Sequence, residues 1–393
     1  MAPSSQRRPY GTGLGFDALG GAEILIEHRR LEHSPFRPQG ALGMFVPGRL
    51  CLFGEHSDWA AGYRAGHPEI APGRCLVVGT DQGLRASATR DDAALEIRAQ
   101  LPDGVSVGPE RIALDALEGA AAREGFFRYA AGTLAVLRER HPLRGLRLEI
   151  RSDLPVRKGL SSSAAVCVLV ARAASHVYGL GLSIAEEMDL AYAGERLTGS
   201  ACGRMDQVCA LGRGPVRLSI DGDRLDTHQV ATGGRFHLLI VDLARGKDTR
   251  RILADLNACY PDTPGELAAG VRHALGALNL ASVERAEQAL HAGDPRALGA
   301  EMQRAQASFD RWVAPACPEL AAPGLHALLA HAGVRELAWG GKGVGSQGDG
   351  CAQLVARGRR EREILAVRLE RELGLQTLFV DLGEDASTPG AGT

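Results

Sequence analysis

Apolar and polar positions change period several times along the chain. Leu146–Ile150 alternates apolar and polar residues, the period of a half-buried strand, and the pattern stops at Ser152-Asp153-Leu154-Pro155. Met44–Val46 and Leu50–Phe53 are apolar runs broken by Pro47-Gly48, and Arg74–Val78, Gly83–Thr89 and Leu95–Arg98 read as further strands. Ser163–Tyr178, rich in Ala and Val, predicts a buried helix closed by Gly179. Ser183-Ile184-Ala185-Glu186 is a capping box, which predicts a helix from about Ile184 to Leu197. Phe236–Leu243 is a mostly apolar strand, and Thr232-Gly233-Gly234 before it predicts a domain boundary. Helical patterns follow at 249–258, 265–293 and 296–313. After them come a glycine-rich run at 340–350, a strand at 351–355, a charged helix at 358–373 and a last strand, Gln376–Leu382. The organisation expected is an extension over 1–40, an N-terminal domain over 41–232 and a C-terminal domain over 233–393, with a disordered tail from Asp385.

A length of 393 residues suits two such domains. The 45 basic and 47 acidic residues leave a formal charge of −2, which speaks against a general binder of nucleic acid or anionic membrane. The absence of a run of about 18 apolar residues speaks against a transmembrane helix. Arg7 and Arg8 are not followed by an apolar stretch, so no secretory signal is expected. The eight cysteines form no C-x-x-C pair and no zinc-spaced cluster, which predicts reduced thiols in a cytoplasmic protein. Only Lys158, Lys247 and Lys342 are lysines, and the other 42 basic residues are arginines.

Three segments carry chemistry. In Pro47–Trp59 an apolar strand leads into Glu55, His56 and Asp58, a crowd of polar groups suited to hydroxyl recognition; the same three also allow a metal reading, which no second histidine cluster completes. In Leu154–Ala165 a strand, a small-residue loop and a helix start follow one another, an arrangement that offers backbone N–H groups and serine hydroxyls to an anion. It is neither a Walker A loop nor a nucleophile elbow. In Glu195–Gln207, Glu195 falls near the end of one helix and Asp206 at the first turn of the next, two carboxylates able to serve as metal ligand and base. The run Gly340–Gly350 adds a fourth, backbone-rich segment before a strand.

In this order, Gly-Glu-His-Ser-Asp (54–58), Pro-x-x-x-Gly-Leu-Ser-Ser-Ser-Ala-Ala (155–165) and Gly-x-Met-Asp-Gln (203–207) resemble the motifs of the GHMP kinase superfamily. The likeness covers about residues 44–382. It implies an α+β, two-domain fold: an N-terminal α/β domain with a left-handed βαβ crossover and a C-terminal ferredoxin-like domain. It also implies transfer of a phosphoryl group from ATP, with Mg²⁺, to a small-molecule hydroxyl. Carried over, Asp206 resembles the catalytic base, and Arg49 the basic residue beside it. Glu195 and one of Ser162 or Ser163, preferably Ser163, resemble the Mg²⁺ ligands. Lys158, Gly159, Leu160, Ser161, Ser162, Ser163 and Ala164 would surround the ATP phosphates, with Gly340–Gly350 lying against them. Lys158, and with it Lys342, would act where a compact ammonium fits and a planar guanidinium does not, and Lys247 would face the cleft.

Glu-His-x-Asp resembles the sugar-kinase branch, so Glu55, His56 and Asp58 are expected to hold the vicinal hydroxyls of a sugar phosphorylated at its anomeric position. Trp59 either stacks on the sugar or packs in the core. Arg64, just beyond, is a candidate partner for the carboxylate of a sugar acid, while heptose, arabinose and fucose stay open. The alternatives are a GHMP kinase for a non-sugar alcohol (mevalonate, homoserine or a cyclitol) and a silent ligand-binding member. The expected partners are the sugar and ATP, in a monomer or homodimer.

Overall fold

The computed structural model describes residues 43–154 and 159–383. The expectations placed on the extension at 1–40, on Lys158 and on the tail lie outside the described residues.

Two sheets organise the chain. The first holds β1 (Met44–Phe53), β2 (Gly73–Asp91), β3 (Ala94–Gln100), β4 (Ser106–Ala113), β5 (Gly145–Ser152), β6 (Pro215–Asp221) and β7 (Arg224–Gln229). Its order is β4-β3-β5-β2-β6-β7, with β1 also paired to β2. The second holds β8 (Phe236–Asp242), β9 (Ala338–Gly343), β10 (Cys351–Ala356) and β11 (Thr377–Leu382), in the order β11-β8-β10-β9, antiparallel throughout. Helices between β8 and β9, and Arg359–Leu373 between β10 and β11, complete the split βαβ pattern of a ferredoxin-like unit. Among the described residues no helix is long and apolar enough to cross a membrane.

Proline and glycine mark strand irregularities here more than strand ends. The expected break at Pro47-Gly48 is a bulge inside β1, with a register shift between Pro47 and Arg49. A Cβ on Gly48 would come within 2.4 Å of Leu154 and 2.8 Å of the Thr80 hydroxyl, so only glycine lets these segments close up. The Arg49 amide then donates to the Leu160 carbonyl at 3.0 Å, tying the bulge to the loop that precedes the serines. The two strands expected at 74–78 and 83–89 are one 19-residue strand, β2. Its first part, Gly73–Val78, pairs with β6, and Leu84–Asp91 pairs with β5. The glycine-rich run is likewise half strand. Gly340, Gly341, Lys342 and Gly343 belong to β9, because bare backbone there lets the helix Pro295–Trp312 approach: a Cβ on Gly340 would lie 2.1 Å from the Gly299 carbonyl.

Helices Arg128–Arg140, Ser162–Tyr178 and Ile184–Leu197 pack beside the first sheet and bury its Leu and Val side chains. The capping box at Ser183 and Glu186 is formed, and Gly179, at φ 65°, closes the middle helix. Arg128–Arg140 and Ile184–Leu197 cross at Gly132 and Gly194, where a Cβ on Gly194 would meet the Thr133 backbone at 2.4 Å. Gly194→Ala gains up to about 1 kcal/mol in helix propensity but forces two backbones apart, which costs typically 1–3 kcal/mol or more. The expected result is a lower urea midpoint; a midpoint equal to or above the parent's would show that the crossing relaxes freely.

Candidate active site

The helix Ser162–Tyr178 starts where β5 and its following loop end, so its first turn presents serines beside the end of β1. Gly159 (φ 75°) and Ser161 (φ 54°) are both left-handed, and for serine that conformation costs energy of the kind concentrated at functional turns. The turn aims Ser161 away from its neighbours. Its Oγ donates to Asp206 Oδ1 at 2.8 Å and accepts from Arg49 Nη2, which also pairs with Asp206. Arg49 is buried, and its Nε and Nη1 have no hydrogen-bond partner among the described residues. Asp206, the first residue of a 3₁₀ turn (Asp206–Leu211), keeps a side chain 24% exposed, so the carboxylate is reachable from solvent.

Two residues further, Ser163 Oγ donates to Glu195 Oε1 at 2.7 Å, while Gln207 Nε2 donates to Glu195 Oε2 at 2.8 Å. Glu195 is only 2% exposed, and burial pushes its carboxyl above the usual range. No described cation forms an ion pair with it, so the buried carboxylate is held only by the neutral donors Ser163, Gln207 and Cys202, with its oxygens beside the Ser163 hydroxyl oxygen. Such an all-oxygen set with unanswered negative charge fits a hard divalent cation that draws its remaining ligands from phosphate and water. Among the described residues no group of three or more His, Cys, Asp or Glu gathers to form a protein-only metal cage. Of the serine run, then, Ser161 reaches Asp206 and Ser163 reaches Glu195. Gly159 lies against Val344 and Gly345, so the Gly340–Gly350 run rests on the serine loop.

The acceptor residues divide. Asp58 is buried and accepts the backbone N–H groups of Trp59 and Met205, and its carboxylate fills the space where a Cβ on Gly203 would be. It thereby sets the turn that delivers Asp206. Glu55 is buried against Lys342, whose ammonium also donates to the Gly343 carbonyl at 3.1 Å. His56, left-handed at φ 69°, has both ring nitrogens engaged by the protein: Nδ1 accepts from the Trp59 indole at 3.1 Å, so Nε2 carries the hydrogen and points at the Ser346 carbonyl, 3.3 Å away. Burial, with help from the charges of Lys247 and Lys342, lowers its pKa to about 4, so the ring is neutral at pH 7. Its faces are taken too, with Phe309 stacked on it and Trp59 against its edge. The structure does not bring Arg64 to this cluster. Its guanidinium bonds to Asp221 at 2.5 Å and to the carbonyls of Pro68 and Ile70, because the turn it sits on packs against β6.

The two described lysines are both held by the protein. Lys342 serves Glu55, and Lys247, near enough to Glu55 and His56 for their charges to interact, donates to the carbonyls of Gln347 at 2.7 Å and Val344 at 3.3 Å, pinning the Gly340–Gly350 run. Gly350 packs so near the Lys247 stem that a Cβ would lie 2.8 Å from its Cε, a slot too narrow for a guanidinium. The Lys342–Glu55 pair, Gln207 on Glu195 and Phe309 on His56 were missed by sequence reasoning. Only Gln207 carried a signal, as the residue after Asp206 that closes the motif at 203–207.

Comparison with known proteins places this geometry in a context. Residues 128–214 match the GHMP kinases N terminal domain. The galactokinase of Streptomyces coelicolor is 30% identical over 312 residues, which cover 70% of this chain and 76% of that protein. A galactokinase of Mycobacterium bovis is 33% identical over 189 residues, 47% of this chain; the match spans about half (48%) of that relative's length. Two solved structures share the fold at 18% identity and 88% coverage of this chain: L. major mevalonate kinase in complex with R-mevalonate (TM-score 0.66, 97% of that chain) and Lactococcus lactis galactokinase complexed with galactose (TM-score 0.65, 94% of that chain). Likeness at that identity concerns the fold alone.

Proposed function

The chain belongs to the GHMP kinases, in their galactokinase-like branch, and from that premise we propose that it transfers the γ-phosphoryl group of ATP to a sugar hydroxyl, the anomeric one, giving a sugar 1-phosphate and ADP. The observation that supports this best is the adjacency of two devices on one helix start. Arg49, Ser161 and Asp206 form a base with its proton-handling neighbours, and Ser163, two residues on, forms a hard-cation seat with Glu195.

Each residue has a task. Asp206 takes the proton of the acceptor hydroxyl as that oxygen bonds to the γ-phosphorus. The bond between phosphorus and the β–γ bridging oxygen breaks with its electron pair, which leaves on ADP. Arg49 orients the Asp206 carboxylate, and its fixed positive charge beside the base favours the negative charge that builds on the acceptor oxygen. Ser163 and Glu195 hold Mg²⁺, and the first turn of Ser162–Tyr178 offers its unpaired N–H groups to the phosphates. When bound, the metal neutralises phosphate charge and orients the transferred group. Glu55 and Asp58 are the hydroxyl acceptors of the sugar site, and His56 keeps the Ser346 turn in place beside them.

The relatives named as galactokinases favour a sugar, and the engagement of Arg64 by Asp221 removes the residue that argued for a sugar acid. The test is ADP release with Mg²⁺ and ATP over neutral hexoses, pentoses, heptoses, uronic acids, mevalonate and homoserine. Saturable turnover with one sugar, and a sugar 1-phosphate as product, is the expected result. Turnover only with mevalonate or homoserine would remove the sugar and keep the phosphotransferase.

A further inference from the structure

The Glu55–Lys342 pair joins residues 287 positions apart and links the end of β1 in the first sheet to β9 in the second. Both side chains are almost fully buried, at 6% and 3% exposure. A buried pair of this kind gains little over an apolar substitute, so its presence calls for a reason beyond stability. The two residues line a cavity of about 60 Å³ together with Asn279, Ser308 and Gln347. Gln347, left-handed at φ 63° and 2% exposed, has a side-chain oxygen with no partner among the described residues. The helical wall opposite is interrupted by a π turn at Ala274–Leu278, the kind of local widening that recurs at ligand sites, and three of that turn's residues line the same cavity.

We propose that Lys342 is a positioning residue for the acceptor: it aims and holds the Glu55 carboxylate that grips acceptor hydroxyls entering this cavity, with the Gln347 amide as their further partner. The inference rests on the sugar-kinase reading and adds to it a residue that the three motifs do not contain.

The chemistry is that of a carboxylate kept charged in a dry place. Burial pushes the Glu55 carboxyl upward, and the ammonium of Lys342 is the strongest influence drawing it back. The other groups facing Glu55 are Arg49 and Cys51 on β1, Cys75 on β2 and Lys247 after β8. The helices over the cavity present Asn279, Ser282 and Ser308 and no charge. Arg49 is already committed to Asp206 and Ser161, and Lys247 to two carbonyls, so neither replaces Lys342. Without the ammonium, the Glu55 carboxyl shifts further upward, toward the protonated form that donates on one oxygen and mismatches the acceptor's hydroxyls.

The experiment compares the parent enzyme with Lys342→Met and with the uncharged pair Lys342→Met/Glu55→Gln, using the acceptor that the panel identifies. In Lys342→Met the acceptor KM should rise about tenfold or more while the ATP KM stays within about twofold. The acid limb of kcat/KM for the acceptor should move to higher pH by about one unit or more, since the carboxyl now ionises later. The uncharged pair should fold, bind the acceptor as weakly and lose that acid limb, and it decides the question if Lys342→Met alone does not fold. A folded variant with unaltered acceptor KM and acid limb would overturn the inference and leave the function standing. Absence of turnover by the parent with every acceptor would overturn both.

Discussion

Asp206→Asn is expected to lower kcat by about a hundredfold or more while leaving the KM for ATP within about twofold of the parent value. The substitution keeps the shape of the site. An amide oxygen still accepts from Ser161 and Arg49, so the arrangement of the turn at Asp206–Leu211 survives. What it cannot do is take a proton. The loss therefore falls on the chemical step and not on nucleotide binding, for which the residues of the serine turn are responsible. Ser161→Ala is the informative companion, because it removes one hydrogen bond to the base and leaves the base itself. Its loss should be smaller than that of Asp206→Asn. Steady-state ADP release under saturating acceptor measures both, and an Asp206→Asn enzyme with parental kcat would exclude Asp206 as the base.

The second large effect is expected at Glu195. Glu195→Gln retains a side chain able to bond Ser163 and Gln207 but removes the charge that makes the pocket a cation seat. The expected loss in kcat/KM for ATP is again about a hundredfold or more, the scale on which charge stabilisation of this kind acts. Stability should move the other way. A buried carboxylate with no paired cation among the described residues is costly, and a neutral amide is less so. The variant should therefore melt at or above the parent's Tm when no metal is present. Adding Mg²⁺ with ADP should raise the parent's Tm by several degrees and the variant's by much less, since only a state that binds ligand gains from it. Equal metal-dependent shifts in the two proteins would place the cation elsewhere.

Much of this frame is legible in sequence wherever the signal is local. The capping box at Ser183 and Glu186 predicts Ile184–Leu197 to the residue, because a cap is a contact between neighbours in the chain. Gly179 and the Ala- and Val-rich run define Ser162–Tyr178 for the same reason. The motif residues Arg49, Ser163, Glu195 and Asp206 come together in two adjacent contacts. Long-range relations are not written in that way. Nothing near Glu55 announces Lys342, and the two ring nitrogens of His56 are claimed by Trp59 and by a carbonyl nearly three hundred residues later. Glycines mislead in a systematic manner. At 79, 340, 341 and 343 they read as chain breaks, yet each lies inside a strand where another backbone or side chain comes too close for a Cβ. Strands β4 and β7 escape the pattern because their apolar positions are few, and β7 is exposed almost throughout.

The shared strand β2 also sets an order of events on the ribosome. Its far part can pair with β5 once residue 152 has been made, but its near part has to wait for β6, at 215–221. Until then the near half of β2 is paired with β1 along one edge and bare along the other, a condition that leaves a growing polypeptide open to wrong associations. Arg49 and the serine turn precede that moment and Asp206 comes within ten residues of β6, so closure of the sheet and arrival of the base are nearly one event in synthesis. A chain truncated before residue 215 would thus lack a finished sheet, and the sheet is whole only once β7, ending at residue 229, has been made.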